Sequence, residues 1–258
     1  MTKDYVEYMQ RMKARFLEGH VAIVTGASKG IGRAIAVTFA ELGAKVMVCG
    51  NNTKDAEEAC QEIRGSGGTC EMFQGDLGIN AEAKSLVEKT VSVFGGIDIL
   101  VNNAEETDSR HFSLLAEEDW DRLEKANMKS AFNCVHHAMP YLEKSGMARI
   151  LNMSSICGKS GAWGAGAHYC ANKAGIIGFT KALANQYAAK GIMVNSIAPA
   201  MIDTEQTPEQ LKAFIDKIPL GRTGKKTEVS WAAAFLCSPF ASYITGYTMD
   251  INGGLYMD

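Results

Sequence analysis

Residues 20–43 read HVAIVTGASKGIGRAIAVTFAELG. A short β-branched run enters the glycine-rich turn Thr25-Gly26-Ala27-Ser28-Lys29-Gly30-Ile31-Gly32, and a helix-forming run leaves it. Strand, tight turn and helix in that order open a parallel βαβ unit. Six further runs of strand character follow: KVMVCG, TCEMFQGD, IDILVNNA, ARILNMSS, IMVNSIAP and YTMDING, with helical stretches between them. The pattern predicts one α/β domain, a doubly wound sheet of seven parallel strands with helices on both faces. Ligands of such sheets bind beyond the carboxyl ends of the strands, at the topological switch point. The residues to watch are therefore those that follow strands.

Composition bounds the function. A chain of 258 residues suits a single large domain, and 47% hydrophobic with 21% charged residues is an ordinary globular balance. A net charge of −3 argues against general affinity for nucleic acid or acidic membranes. The seven cysteines are scattered without Cys-x-x-Cys or metal spacing, which predicts free thiols, no metal site and a cytoplasmic location. No apolar run reaches membrane length, and the acid-bearing N-terminus is not a signal peptide. Residues 1–17 stand apart as an amphipathic helical extension. Tyr5, Met9, Met12 and Phe16 fall at helical spacing there, ready to pack on the domain or on a neighbouring subunit. Residues 18–258 are expected to form the α/β domain that carries the functional site.

The turn at 25–32 predicts a nucleotide site, because glycines let backbone approach a pyrophosphate and the following helix N-terminus favours its charge. The second strand ends in Gly50-Asn51-Asn52-Thr53 without the carboxylate that usually holds an NAD ribose. Lys29 supplies a cation for a 2′-phosphate, with Asn51 and Thr53 as hydrogen-bond donors, so NADPH is expected over NADH. Asp76, followed by Leu77, either accepts from the adenine amino group or caps its strand. Asn102, Asn103 and Ala104 are expected beside the adenosine ribose.

The chemistry is expected at HYCANKAG, residues 167–175 with its flanking alanine. Tyr169 and Lys173 share one helix face. Free tyrosine titrates at about 10, and a fixed ammonium nearby favours the phenolate. Tyr169 is thus the proton donor in reduction, and Lys173 tunes it and holds the nicotinamide ribose. Ser155, at the end of RILNMSS, polarises a carbonyl as charge develops, whereas alternation turns Ser154 the other way. Asn127 holds Lys173 through a water, or is a mid-helix residue without a role.

With these residues in view, the chain resembles the short-chain dehydrogenase/reductase family from residue 18 to 258, most closely its 3-oxoacyl-[acyl-carrier-protein] reductase group. TGASKGIG, NNA at 102–104, Asn127, the Ser155/Tyr169/Lys173 set and the tail PLGR…ASYITGYTMDINGG carry the resemblance. It implies a Rossmann fold, hydride transfer from nicotinamide C4, a Ser-Tyr-Lys-Asn catalytic set and a homotetramer. Pro199, Ile202 and Thr204 are then expected near the cofactor's carboxamide. Three departures stand out: Glu105 where the family has glycine, Ala200 after Pro199, and a longer 155–169 loop containing Trp163.

The expected reaction is NADPH-dependent reduction of a ketone to a secondary alcohol, with a 3-oxoacyl thioester as substrate. An acidic carrier protein would want a basic rim, for which Arg149 and Lys190 are the candidates. One rival is a dehydrogenase or reductase of a free small ketone, sugar or hydroxysteroid. Another, of a different class, is a non-catalytic nucleotide-binding protein, with Glu105 as its support.

Overall fold

The computed structural model describes residues 15–161, 164–204 and 214–257. Tyr5, Met9, Met12 and Trp163 lie outside the described residues. Seven strands form one parallel sheet: β1 (Val21–Val24), β2 (Lys45–Gly50), β3 (Thr69–Gln74), β4 (Ile99–Asn102), β5 (Arg149–Met153), β6 (Met193–Pro199) and, last in the chain, β9 (Thr248–Ile251). Their order is β3-β2-β1-β4-β5-β6-β9, so the chain reverses direction across the sheet between β1 and β4. A two-stranded ribbon pairs β7 (Ile202–Asp203) with β8 (Gly224–Lys225). The seven expected strands and the switch point are present.

The helices are α1 (Gly30–Glu41), α2 (Thr53–Gly65), α3 (Asn80–Phe94), α4 (Glu117–Glu124), α5 (Ser130–Leu142), α6 (Ile156–Ser160), α7 (Ala167–Tyr187) and α8 (Lys226–Leu236). Strand alternation divides the core into two layers. Ala22 and Val24 of β1, with Val46 and Val48 of β2, pack beneath α1, α2 and α8 around Phe39 and Ile63. Ile23 and Met47 face the opposite way, toward Leu86 of α3, Cys134 of α5 and Leu183 of α7. Every β1 residue is buried, which is why the run is apolar throughout rather than alternating. Emptying the Phe39 site with alanine would cost about 3–5 kcal/mol.

Phe16 packs against the first layer and meets Phe240 edge-on at 5.6 Å, and Leu17 is fully buried. All seven cysteines are free. Among the described residues, no helix is long and apolar enough to cross a membrane.

Candidate active site

The carboxyl ends of β1, β2, β3 and β4 open onto a crevice of about 730 Å³, within the ~300–1,000 Å³ typical of ligand sites. The turn residues Gly26, Ser28, Lys29, Gly30, Ile31 and Gly32 line it, with Asn51, Asn52, Asp76, Leu77, Asn103, Ala104 and Thr204. Lys29 caps α1 in extended conformation without a side-chain bond to the first turn. The N–H groups of that turn are therefore not consumed by a capping side chain, which suits an anion.

The turn's glycines do different work. A Cβ on Gly32 would sit 2.3 Å from the Gly26 carbonyl oxygen and 2.4 Å from Asn103 Nδ2, so Gly32 is demanded by packing. A Cβ on Gly30 would meet nothing, and here the backbone is open to a ligand. Asn103 braces the turn from behind. Its Nδ2 donates to the Thr25 and Gly26 carbonyls at 3.0 and 3.1 Å, and its N–H donates to Thr25 Oγ1. Asn102 faces β5, not the crevice, and donates to Asn152 Oδ1 at 2.8 Å inside the sheet. Its expected place beside a ribose is replaced by a buried amide ladder that runs on to Thr180.

At the adenosine end the residues are partly committed to structure. Asn52 Oδ1 caps α2 by accepting from the Lys54 and Asp55 N–H groups. Thr53 Oγ1 donates to Gln74 Oε1. Asp76 accepts from Lys125 Nζ at 2.8 Å and from the Gly78 N–H, and the Lys125 bond holds its carboxyl below the usual range. Asp55 also lines the crevice. Sequence reasoning missed it because the search for a carboxylate ended at Thr53, two residues before the first turn of α2 presents this one. Ile202 is buried in the core and Pro199 ends β6.

Tyr169 and Lys173 lie one turn apart on α7, with the Lys173 ammonium 5.6 Å from the Tyr169 ring centre. Both are buried. Lys173 Nζ donates to the Met153 carbonyl at the end of β5, 2.8 Å away. Ser155 follows that strand end and caps α6, accepting from the Cys157 N–H. Ser154 turns the other way, its hydroxyl donating to the Lys173 carbonyl. Ser154 thus points away from Ser155, as alternation predicts.

Glu105 stands where the resemblance led us to expect glycine. Its carboxylate lies 2.5 Å from Lys173 Nζ and accepts from the Tyr169 hydroxyl at 3.3 Å. The expectation of a lowered Tyr169 pKa is overturned here. Burial chiefly, and then the Glu105 charge, push the phenol well above its ordinary value, against a smaller downward pull from Ser155. The ammonium that should favour the phenolate instead faces a carboxylate.

Asn127 makes a contact that the sequence reading did not foresee. It sits in a π-turn (Lys125–Lys129) between α4 and α5, a distortion common at functional sites. Its Oδ1 accepts from the Glu106 N–H at 2.7 Å and its Nδ2 donates to the Glu106 carbonyl at 3.0 Å. Asn127 thus clamps the backbone beside Glu105; no direct bond to Lys173 is made. Glu106 itself pairs with Arg122 of α4.

Arg149 and Lys190 cannot supply a basic rim. Arg149 starts β5 and is buried against the Ser238 carbonyl, while Lys190 precedes β6 and pairs with Glu143 at 2.6 Å. Both stand at the amino ends of the strands, away from the crevice.

Known proteins are similar over nearly the whole chain. The family model described as Enoyl-(Acyl carrier protein) reductase matches residues 26–256. A 3-oxoacyl-[acyl-carrier-protein] reductase of Staphylococcus epidermidis is 40% identical over 241 residues, 92% of this chain and 98% of that one. Its counterpart from Escherichia coli is 40% identical over 244 residues, 93% and 98% of the two chains. A solved structure of a 3-oxoacyl-[acyl-carrier protein] reductase with bound NAD, from Brucella melitensis, has a TM-score of 0.90 at 32% identity and covers 96% of both chains.

Proposed function

Because the chain belongs to the short-chain dehydrogenase/reductase family, we propose that it reduces a 3-oxoacyl thioester to the 3-hydroxy product with NADPH. As a family member it is an NAD(P)-dependent oxidoreductase acting on a ketone or its alcohol. The observation that carries the reading is the buried cluster of Ser155, Tyr169 and Lys173, joined through Glu105 to a crevice of dinucleotide size on the switch point. The open backbone at Gly30 and the uncapped start of α1 fit a pyrophosphate.

When bound, the reduced cofactor supplies the hydride that adds to the carbonyl carbon. The chain's own residues manage the oxygen. Ser155 donates a hydrogen bond where negative charge grows. Tyr169, kept neutral by its burial and by Glu105, gives its proton to that oxygen. Lys173 steadies the phenolate left behind. A phenol held in its protonated form suits the direction of reduction.

Lys29 and Asn51 on the rim support NADPH over NADH, with Asp55 as the opposing charge. The relatives' names support the thioester. A homotetramer in the cytoplasm completes the reading, and Phe132 of α5 with Trp231 and Phe235 of α8 offer exposed apolar surface for association. Light scattering of the purified protein checks the assembly.

The test is binding of NADPH and NADH, followed by cofactor oxidation with an acetoacetyl thioester, a diketone, a keto-sugar and a ketosteroid. Thioester turnover with NADPH is expected. Turnover of the free ketones alone would select the rival substrate class, and binding without any turnover would select the non-catalytic reading.

A further inference from the structure

We propose that Glu105 is a proton relay, its carboxylate passing a proton between solvent and the Tyr169 phenol. The inference rests on the reductase reading and extends it to a residue that the family pattern does not contain. Three observations carry it. The Glu105 carboxylate contacts both the Tyr169 hydroxyl, at 3.3 Å, and the Lys173 ammonium, at 2.5 Å. The Glu105 side chain keeps 36% of its surface exposed, while Lys173 keeps 2% and Tyr169 is likewise buried, so Glu105 bridges the buried pair and the open crevice. The Asn127 clamp on Glu106 fixes the backbone from which the carboxylate reaches in.

Each cycle of reduction leaves Tyr169 without its proton, and the phenol is buried, so a partly exposed neighbour such as Glu105 can return it. A Glu105 carboxyl that has taken a proton from water breaks its O–H bond and forms the Tyr169 O–H bond. Phenolate becomes phenol and carboxyl becomes carboxylate. Transfer in that direction is downhill, since a phenolate is the stronger base. Water then reprotonates the exposed carboxylate, and no other reactant is consumed. Lys173 from α7 holds Glu105 in register, Ser155 bonds Tyr169, and the Cys157 thiol feels the Glu105 charge. Burial, together with the same carboxylate charge, pushes the Cys157 thiol up and keeps it out of the exchange.

Two measurements test the relay independently. The first needs no cofactor: Tyr169 is titrated by phenolate absorbance in the wild type and in Glu105→Gln, with Tyr169→Phe subtracted to isolate that ring. Its midpoint should move to lower pH in Glu105→Gln. The second is turnover. Glu105→Gln should lower kcat by about tenfold to a hundredfold, less than the ~10²–10⁴ of direct proton transfer, with cofactor affinity retained. Added formate should restore Glu105→Ala but not Tyr169→Phe, a rescue that a merely structural role would not give. An unmoved Tyr169 titration, or Glu105→Gln turning over at the wild-type rate, overturns the relay. A wild type that turns over no ketone would instead overturn the reductase reading, while the titration still decides whether Glu105 governs Tyr169.

Discussion

Replacing Asn127 with alanine removes two half-buried hydrogen bonds at once, because Oδ1 and Nδ2 both engage the backbone of Glu106. Each such bond contributes about 0.5–1.5 kcal/mol net. The Glu106 groups are partly exposed, so water can replace some of what is lost. The expected destabilisation is about 2 kcal/mol. In a domain of this size that lowers Tm by roughly 4–8 °C. Asn127→Asp keeps the acceptor and loses the donor, so it should fall between wild type and Asn127→Ala. The assay is thermal unfolding followed by circular dichroism, at one protein concentration because association shifts Tm. Activity of the same samples should drop as Glu105 loses its fixed support. If Asn127 acted instead through a water on Lys173, activity would fall while Tm stayed at the wild-type value. That pattern would refute the clamp.

Other substitutions probe the crevice. Lys29→Ala should weaken NADPH by about fivefold, ~1 kcal/mol, and leave NADH unchanged, as read by fluorescence titration. Equal loss for both nucleotides would remove Lys29 as the 2′-phosphate contact. Gly32→Ala drives a Cβ to 2.3 Å from the Gly26 carbonyl; it should cost about 1–3 kcal/mol and weaken both nucleotides, whereas a normal melt with normal binding would contradict the packing argument. Lys125 holds the Asp76 carboxyl below its ordinary value, so the pair's contribution is present above the unfolded carboxyl pKa and is lost as pH falls through the lowered one. Lys125→Met should therefore be less stable than wild type near neutrality by no more than ~1 kcal/mol, and the gap should close in acid; a gap independent of pH would sink the assignment.

Much of this molecule is legible without coordinates, and the parts that are not have a common cause. Buried parallel strands announce themselves because both faces need apolar residues, as the VAIV of β1 shows. The glycine spacing at 26, 30 and 32 marks the turn because Gly32 tolerates no Cβ. The opposite orientations of Ser154 and Ser155 were legible from alternation alone. Side chains with polar neighbours distant in sequence were not separable in this way. Asn102 pairs with Asn152 across the sheet, and Asn127 finds the Glu106 backbone through a π-turn that no local pattern announces. Glu105 was visible as a departure, but its reach to Lys173 depends on how α7 and the segment after β4 meet. Arg149 was misassigned although a signal was present: it begins a strand, and ligands bind at the other end.

The most direct measurement compares wild type with Tyr169→Phe for NADPH binding and for NADPH oxidation by an acetoacetyl thioester. The phenol is the buried acid to which Ser155, Lys173 and Glu105 are all fitted. The account predicts unchanged NADPH binding and loss of turnover in Tyr169→Phe, with the wild type active. A Tyr169→Phe enzyme that oxidises NADPH at close to the wild-type rate would contradict it.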